Sequence, residues 1–496
     1  MAHWTVQPST RIHRFVAVQR ITGILLMLFS FTMLPPIVID QLYEASTTGP
    51  FFMGLWITFL TGAVIWWPAR KERAELKTRD GFLITVLFWA VLGLFGAIPL
   101  IFTHAAWNTY TDAIFESVSG LTTTGATTVA SGLDDLPHAL NFYRAQLHWL
   151  GGMGIIVLAV AVLPMLGVGG MQLYRAETPG PMKNSKLTPR ITETARVLWF
   201  VYAGLTTVCG LTYWALGMDP FDALCHAFST MSTGGFSTRD ASIGYWNDPA
   251  LEAAVIFFMF IAAVNFALHF LAMRRIAPLT YWRDAEFRAY FLVLLGLAVL
   301  VCVPLYLEGI YDHPLAALRY GLFTLVAYAT DSGFAITDPT PWPSYVPAMI
   351  VLAGLVVGCS GSTAGGVKMI RLLLFVKQAL REMQKLLHPS AELPIKLNGK
   401  VVPNDIVYAV GGFFSVYVGL VIVLTFVMMA TGLEPLVAFS AVAAALGNLG
   451  PGLGEVASNV STVSTTGKWV MIFAMLLGRL EVFTLLIVLT PSFWKR

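Results

Sequence analysis

The stretch Phe115-Glu-Ser-Val-Ser-Gly-Leu-Thr-Thr-Thr-Gly-Ala-Thr-Thr-Val129 holds an apolar-faced run too short to cross a bilayer. It ends in three threonines, a glycine and a small residue. Three more stretches share its shape: Phe228-Ser-Thr-Met-Ser-Thr-Gly-Gly-Phe236, Val326-Ala-Tyr-Ala-Thr-Asp-Ser-Gly-Phe334 and Ala443-Ala-Ala-Leu-Gly-Asn-Leu-Gly-Pro-Gly452. Aligned on Gly125, Gly234, Gly333 and Gly450, they recur at spacings of 109, 99 and 117 residues. A fixed period of about a hundred residues, four times over, marks a repeat architecture.

The 496-residue chain is 56% hydrophobic and only 12% charged, half the charged fraction of a soluble domain, which is about 25%. Apolar runs long enough to span a bilayer, about 20 residues each, recur near 17–38, 50–68, 81–103, 145–168, 196–217, 251–272, 288–308, 345–375, 405–431 and 468–490. A net charge of +3 is too small to suggest a nucleic-acid partner. Cys209, Cys225, Cys302 and Cys359 lack metal-ligand spacing and read as reduced packing residues. The polar, basic start followed by an apolar run resembles a signal peptide, but Pro35-Pro36-Ile-Val-Ile-Asp-Gln41 offers no small-x-small cleavage site. It reads as an uncleaved first span.

Of the 31 Lys and Arg residues, 26 fall before the first span or on alternate loops: 70–79, 175–196, 274–288, 368–400 and 495–496. The positive-inside rule makes those loops, and both termini, cytoplasmic. All four glycine turns then lie on the outer side. The fold class expected is an all-α polytopic membrane protein with four tandem span–pore helix–span repeats in pseudo-fourfold array around a central pore. A hairpin over 1–79 precedes repeats over 80–175, 176–285, 286–400 and 401–496. The short helices are expected near 110–121, 220–230, 314–328 and 434–446, with acid or proline at their starts (Asp112, Asp219-Pro220, His313-Pro314, Glu434-Pro435).

Irregular backbone survives at membrane depth only where it lines a cavity or is covered by protein. Four facing turns meet that condition, and their carbonyls can replace an ion's hydration shell. The short helices aim their negative carboxyl ends at the same point, favouring cations. One such turn alone would be an ordinary loop; four on one side of the membrane read as a cation filter.

Gly120-Leu-Thr-Thr-Thr-Gly-Ala-Thr-Thr128, Tyr281-Trp-Arg-Asp284, Gly447-Asn-Leu-Gly-Pro-Gly-Leu-Gly454 and Gly478-Arg-Leu-Glu-Val-Phe-Thr484 resemble the bacterial Trk/Ktr potassium-uptake family over nearly the whole chain. The amino-terminal hairpin and Gly167-Val-Gly-Gly-Met-Gln-Leu-Tyr-Arg-Ala-Glu177 point to its TrkH type. The resemblance implies a bacterial inner-membrane protein. It implies potassium ligation by backbone at Thr123, Thr124, Gly125, Ser232, Thr233, Gly234, Asp331, Ser332, Gly333, Asn448, Leu449 and Gly450. A glycine in all four filters goes, in that family, with potassium over sodium. It further implies a homodimer on separate nucleotide-binding regulatory subunits of the TrkA type, with no organic cofactor and potassium as the transported ion. The basic segment Lys368–Lys400 is either their docking surface or simply the positive-inside signal.

Gly354-Leu-Val-Val-Gly-Cys-Ser-Gly-Ser-Thr-Ala-Gly-Gly-Val-Lys368 interrupts the eighth span with five glycines, each costing a helix about 1 kcal/mol. Gly358, Ser360, Gly361, Ser362, Thr363, Gly365 and Gly366 are read as an intramembrane gate, against the alternative of close packing through small residues. Val367 breaks any phosphate-loop ending, and no hydrolase or metalloprotease motif is present, so an enzyme is not expected. Arg479, inside the last span, must face the protein interior. It is expected either to hold the glycine segment closed or to pair with Glu481 or the carbonyls of the broken helix. Glu116, Asn265 and His269 read as satisfied structural hydrogen-bonders.

A secondary transporter would carry inverted repeats, whereas these share one orientation. The remaining alternative is proton-coupled potassium symport on the same scaffold, for which Asp331 is the only acid in a filter. Its carboxylate is expected to face the path; the alternative turns it behind the filter to accept backbone N–H groups.

Overall fold

The computed structural model describes residues 10–43, 47–71, 78–103, 106–107, 109–157 and 187–495. The 167–177 motif, the end of the 145–168 span and much of the 175–196 loop lie outside them. Two long apolar helices, α1 (Thr10–Ser30) and α2 (Thr48–Ala69), form the amino-terminal hairpin. They approach closely at Gly23 and Gly62, where a Cβ on either would sit within 2.8 Å of the other's carbonyl oxygen. Small residues permit such backbone contact where lipid offers no hydrophobic drive.

Taken in the four divisions expected from the sequence, the first holds α3 (Thr78–Gly96), the short α4 (Tyr110–Leu121) and α5 (His138–Val157). The second holds α6 (Leu187–Ala215), α7 (Pro220–Met231), α8 (Pro249–Ala262) and α9 (Phe266–Arg275). The third holds α10 (Ala285–Leu307), α11 (Pro314–Ala329), α12 (Tyr345–Gly354) and α13 (Met369–Leu387), after which Lys396–Leu397 and Lys400–Val401 pair as a small hairpin. The fourth holds α14 (Asn404–Ala430), α15 (Pro435–Gly447), α16 (Thr465–Arg479) and α17 (Phe483–Leu489). The four short helices begin where the sequence signals place them. Thr109 and Asp219 accept a first-turn N–H at α4 and α7, and Pro220, Pro314 and Pro435 open α7, α11 and α15. Proline there loses no hydrogen bond, because the first-turn amide has no intrahelical partner.

Among the described residues, six helices are long and apolar enough to cross a membrane, and two bent pairs could each make a further span. Ten continuous spans with one interruption were expected, and here the expectation needs correction. The sixth and tenth are bent by 99° and 114°, at 263–265 and 480–482. The eighth keeps only the ten residues of α12 as a helix before the glycine-rich segment begins. The sixth breaks because Asn265 turns its side chain to cap α9, accepting the Ala267 N–H at 2.8 Å. His269 Nε2 also bonds the Ile261 carbonyl beside the break, at 3.0 Å. The tenth breaks where Glu481 and Val482 both take positive φ, +52° and +56°.

The packing is cyclic. Helix α5 lies against α7 of the next repeat, α8 against α11, α12 against α15, and α16 returns to α4. The second span of each repeat thus supports the short helix of its successor, and the carboxyl ends of the four short helices come together.

Candidate functional site

Each short helix ends in the same backbone course. Thr123, Thr233, Asp331 and Asn448 take left-handed φ of +53° to +58°, and two residues later Gly125, Gly235, Gly333 and Gly450 take φ of +64° to +97°. The residue between donates its N–H five residues back: Thr124 to Ser119, Gly234 to Ser229, Ser332 to Ala327 and Leu449 to Ala444, all at 2.8–2.9 Å. This is the bond that satisfies the last carbonyls of a helix closed by a left-handed residue.

These angles correct the register of the second turn. Gly235, not Gly234, is the counterpart of Gly125, so the spacings are 110, 98 and 117. Ser232 is the counterpart of Thr122 and Thr330 and only caps its helix, its hydroxyl returning to the Phe228 carbonyl at 2.7 Å. The twin glycines at 234–235 look alike as letters, and only the dihedral angles separate them.

The glycines are required by contact. A Cβ on Gly125 would strike the carbonyl oxygen of Gly234, and one on Gly235 would strike that of Ser332. One on Gly333 would crowd that of Leu449, and one on Gly450 that of Thr124. Each glycine therefore abuts the carbonyl of the next turn, and the fourth closes on the first. The four carbonyls met in this circuit belong to Gly234, Ser332, Leu449 and Thr124. Thr123, Thr233, Asp331 and Asn448 precede them, and all twelve residues of the four turns are buried or nearly so.

Behind the first turn lies a buried ion pair. Arg144 Nε meets Glu116 Oε1 at 2.8 Å, the two side chains 1% and 0% exposed. Glu116 also accepts the Thr127 hydroxyl at 2.9 Å and the Thr128 N–H at 3.0 Å. Removing one partner of such a pair costs roughly 3–5 kcal/mol. Sequence reading anticipated the satisfied Glu116 and gave Arg144 no role. Its position among the few basic residues off the basic loops was the available signal.

The segment 355–368 folds against the ring from one side. A Cβ on Gly365 would collide with the Gly447 carbonyl at the end of α15. Thr363 Oγ1 donates to the carbonyls of Met231 (3.1 Å) and Ala262 (3.2 Å), the last residues of α7 and α8. Gly361 accepts the Phe266 N–H across the bend of the sixth span at 3.1 Å, and the Ser362 hydroxyl closes on the Cys359 carbonyl. Gly358 packs on Ala364, and Gly366 on the Leu355 carbonyl. Glu286 Oε1, which sequence reading passed over, accepts the N–H groups of Ser360 (2.6 Å) and Ile370 (3.1 Å), tying the middle of the segment to the first turn of α13. Its nearness to the Tyr281–Asp284 motif was the only hint.

Arg479 ends α16 at the second bend. It donates through Nη2 to the Gly151 carbonyl at 2.9 Å and through Nη1 to the Thr363 carbonyl at 3.3 Å. Its guanidinium lies 5.2 Å from the Trp89 ring centre. Glu481 pairs with Arg371 instead, so of the two partners considered for Arg479 the carbonyls are the ones realised. Lys368 Nζ bonds the Ala364 carbonyl within the same segment. Asp331 is fully buried, and neither carboxylate oxygen has a hydrogen-bond partner. The positive charges of Lys368 and Arg479 act on it.

A bundle of apolar spans in which the carboxyl ends of four short helices converge defines an all-α polytopic membrane protein. The family described as a cation transport protein, TrkH, matches residues 48–496. The chain belongs to that family, a family of membrane transporters and not of enzymes. It is 52% identical over 477 residues to the Trk system potassium uptake protein TrkH of Halomonas elongata, covering 96% of this chain and 98% of that one. It is 39% identical over 480 residues to the Trk system potassium uptake protein TrkG of Escherichia coli K12, covering 96% and 98%. The crystal structure of the potassium transporter TrkH from Vibrio parahaemolyticus superposes with a TM-score of 0.90 at 46% identity, covering 97% of this chain and all of that one.

Proposed function

We propose that the chain takes up potassium across the bacterial inner membrane through a filter made of the four glycine turns. Each turn belongs to one repeat of the 80–175, 176–285, 286–400 and 401–496 series. The closed circuit of glycine-to-carbonyl contacts carries this reading, because it sets four oxygens around one axis at the carboxyl ends of four helices. Potassium is the ion named for the relatives of TrkH and TrkG type. The segment 355–368 acts as the gate, held shut by Thr363, Glu286 and Arg479. The chain works as a homodimer with both termini cytoplasmic, under a separate nucleotide-binding regulatory subunit of the TrkA type. That subunit docks where the basic segment 368–400 emerges.

Asp331, a buried carboxylate without hydrogen-bond partners, favours one alternative, proton-coupled potassium symport. The test is potassium, rubidium and sodium flux through the purified chain in liposomes, with and without an imposed proton gradient. Potassium and rubidium flux well above sodium is expected, with net movement set by the potassium gradient alone. Uphill potassium movement driven by the proton gradient would establish symport instead.

A further inference from the structure

The carbonyl two residues beyond each ring glycine belongs to Thr127, Ser237, Ala335 or Gly452. All four accept a hydrogen bond, and all four donors come from the preceding repeat. Arg144 Nη1 of the first repeat reaches Ser237 at 3.1 Å. The Gly244 amide of the second reaches Ala335 at 3.1 Å. The Tyr328 hydroxyl of the third reaches Gly452 at 3.2 Å. The Val460 amide of the fourth reaches Thr127 at 2.8 Å. The donors differ in chemistry (a guanidinium, two main-chain amides and a phenol), yet they meet one equivalent carbonyl in every turn.

We propose that these four bonds form a positioning girdle for ion selection, resting on the reading of the turns as a filter. Each ties two adjacent turns together just past the carbonyl ring, so the four in series fix its circumference. Discrimination between cations depends on the size and stiffness of the oxygen cage, and a slack ring would contract around a smaller ion. The girdle also turns these carbonyls toward the neighbouring repeat, leaving the ring oxygens to the ion. Arg144 is the one charged donor, and Glu116 does more than neutralise it. Through Thr127 and Thr128 the same carboxylate grips the first turn. One ion pair therefore joins the first turn to the second. Repeats one and three supply side-chain donors, so only those two tethers can be cut by substitution. Both residues act through the backbone and are positioning residues.

The experiment compares Tyr328→Phe, Arg144→Lys and Gly235→Ala with the parent chain in liposomes. It reads the sodium-to-potassium flux ratio, the half-saturation for rubidium and the maximal rate. Tyr328→Phe removes one oxygen and keeps the ring, so its fold is expected to survive. Its flux ratio should rise roughly fivefold, the weight of one net hydrogen bond. Arg144→Lys keeps the charge but cannot serve Glu116 and Ser237 together, and its ratio should also rise. Gly235→Ala tests the filter itself. If its ratio rises while those of Tyr328→Phe and Arg144→Lys stay parental, the girdle is overturned and the filter stands. A parental ratio for Gly235→Ala overturns the filter and the girdle with it. A lower maximal rate at parental ratio in Tyr328→Phe marks a merely structural bond and also overturns the girdle. If Gly235→Ala does not accumulate, the Tyr328→Phe ratio decides alone.

Discussion

The guanidinium of Arg479 donates to the backbone carbonyl of Thr363, 3.3 Å away in the glycine-rich segment, while its other nitrogen holds Gly151 in the first repeat. The last repeat thereby clasps the interrupted helix of the third. Hydrogen bonds from a charged donor contribute about 1.5–3 kcal/mol each.

Arg479→Ala is therefore expected to raise rubidium flux in the absence of any regulatory subunit. Deletion of Gly361–Gly365 should do the same, and Arg479→Lys should fall between parent and alanine. Parental flux from both the alanine and deletion variants, properly folded, would reduce the segment to packing.

The corrected register of the second turn makes its own prediction. Gly235→Ala meets the Ser332 carbonyl as Gly125→Ala meets that of Gly234. The two should lose potassium-over-sodium preference to similar extents. Ser232→Ala, which removes only a hydroxyl bonded to its own helix, should keep it. Competition of sodium against rubidium uptake reads all three, and a Ser232→Ala loss matching Gly235→Ala would refute the register.

Glu286→Gln keeps the shape of the side chain that ties the glycine-rich segment at Ser360 to α13 at Ile370 but removes its charge. Weakening two charge-assisted bonds to neutral ones should cost about 1–2 kcal/mol and raise basal flux. The variant's thermal midpoint and its rubidium flux check this together. A lower midpoint with parental flux would make Glu286 a structural anchor without a part in gating.

Asp331 stands where the other turns carry Thr123, Thr233 and Asn448, and its oxygens accept no hydrogen bond. A carboxylate bearing on the path should tighten potassium binding, tenfold for each 1.4 kcal/mol or so of net attraction. Asp331→Asn is expected to raise the half-saturation for rubidium. Acid should weaken binding in the parent and leave the variant unchanged. Equal half-saturation in both between pH 5 and 8 would remove the carboxylate from the path.

Much of this molecule was legible as sequence because membranes impose local rules. Apolar length marked the long spans, and proline or acid marked the starts of the short helices within a residue or so. The repeat was visible because each short helix must end in a left-handed residue followed two positions later by a glycine. Those demands are met within one turn of chain.

What lies between segments distant in sequence was not legible. Arg144 and Ser237 are 93 residues apart, Tyr328 and Gly452 are 124 apart, and Arg479 and Gly151 are 328 apart. No local pattern foretells such bonds. The bends at Asn265 and Glu481 were hidden too, since apolar composition is satisfied equally by a straight helix and a broken one. The sequence reading chose Gly234 where the structure turns at Gly235, because either glycine tolerates the required φ. The choice falls to the neighbouring carbonyl, which only the closed ring brings into contact.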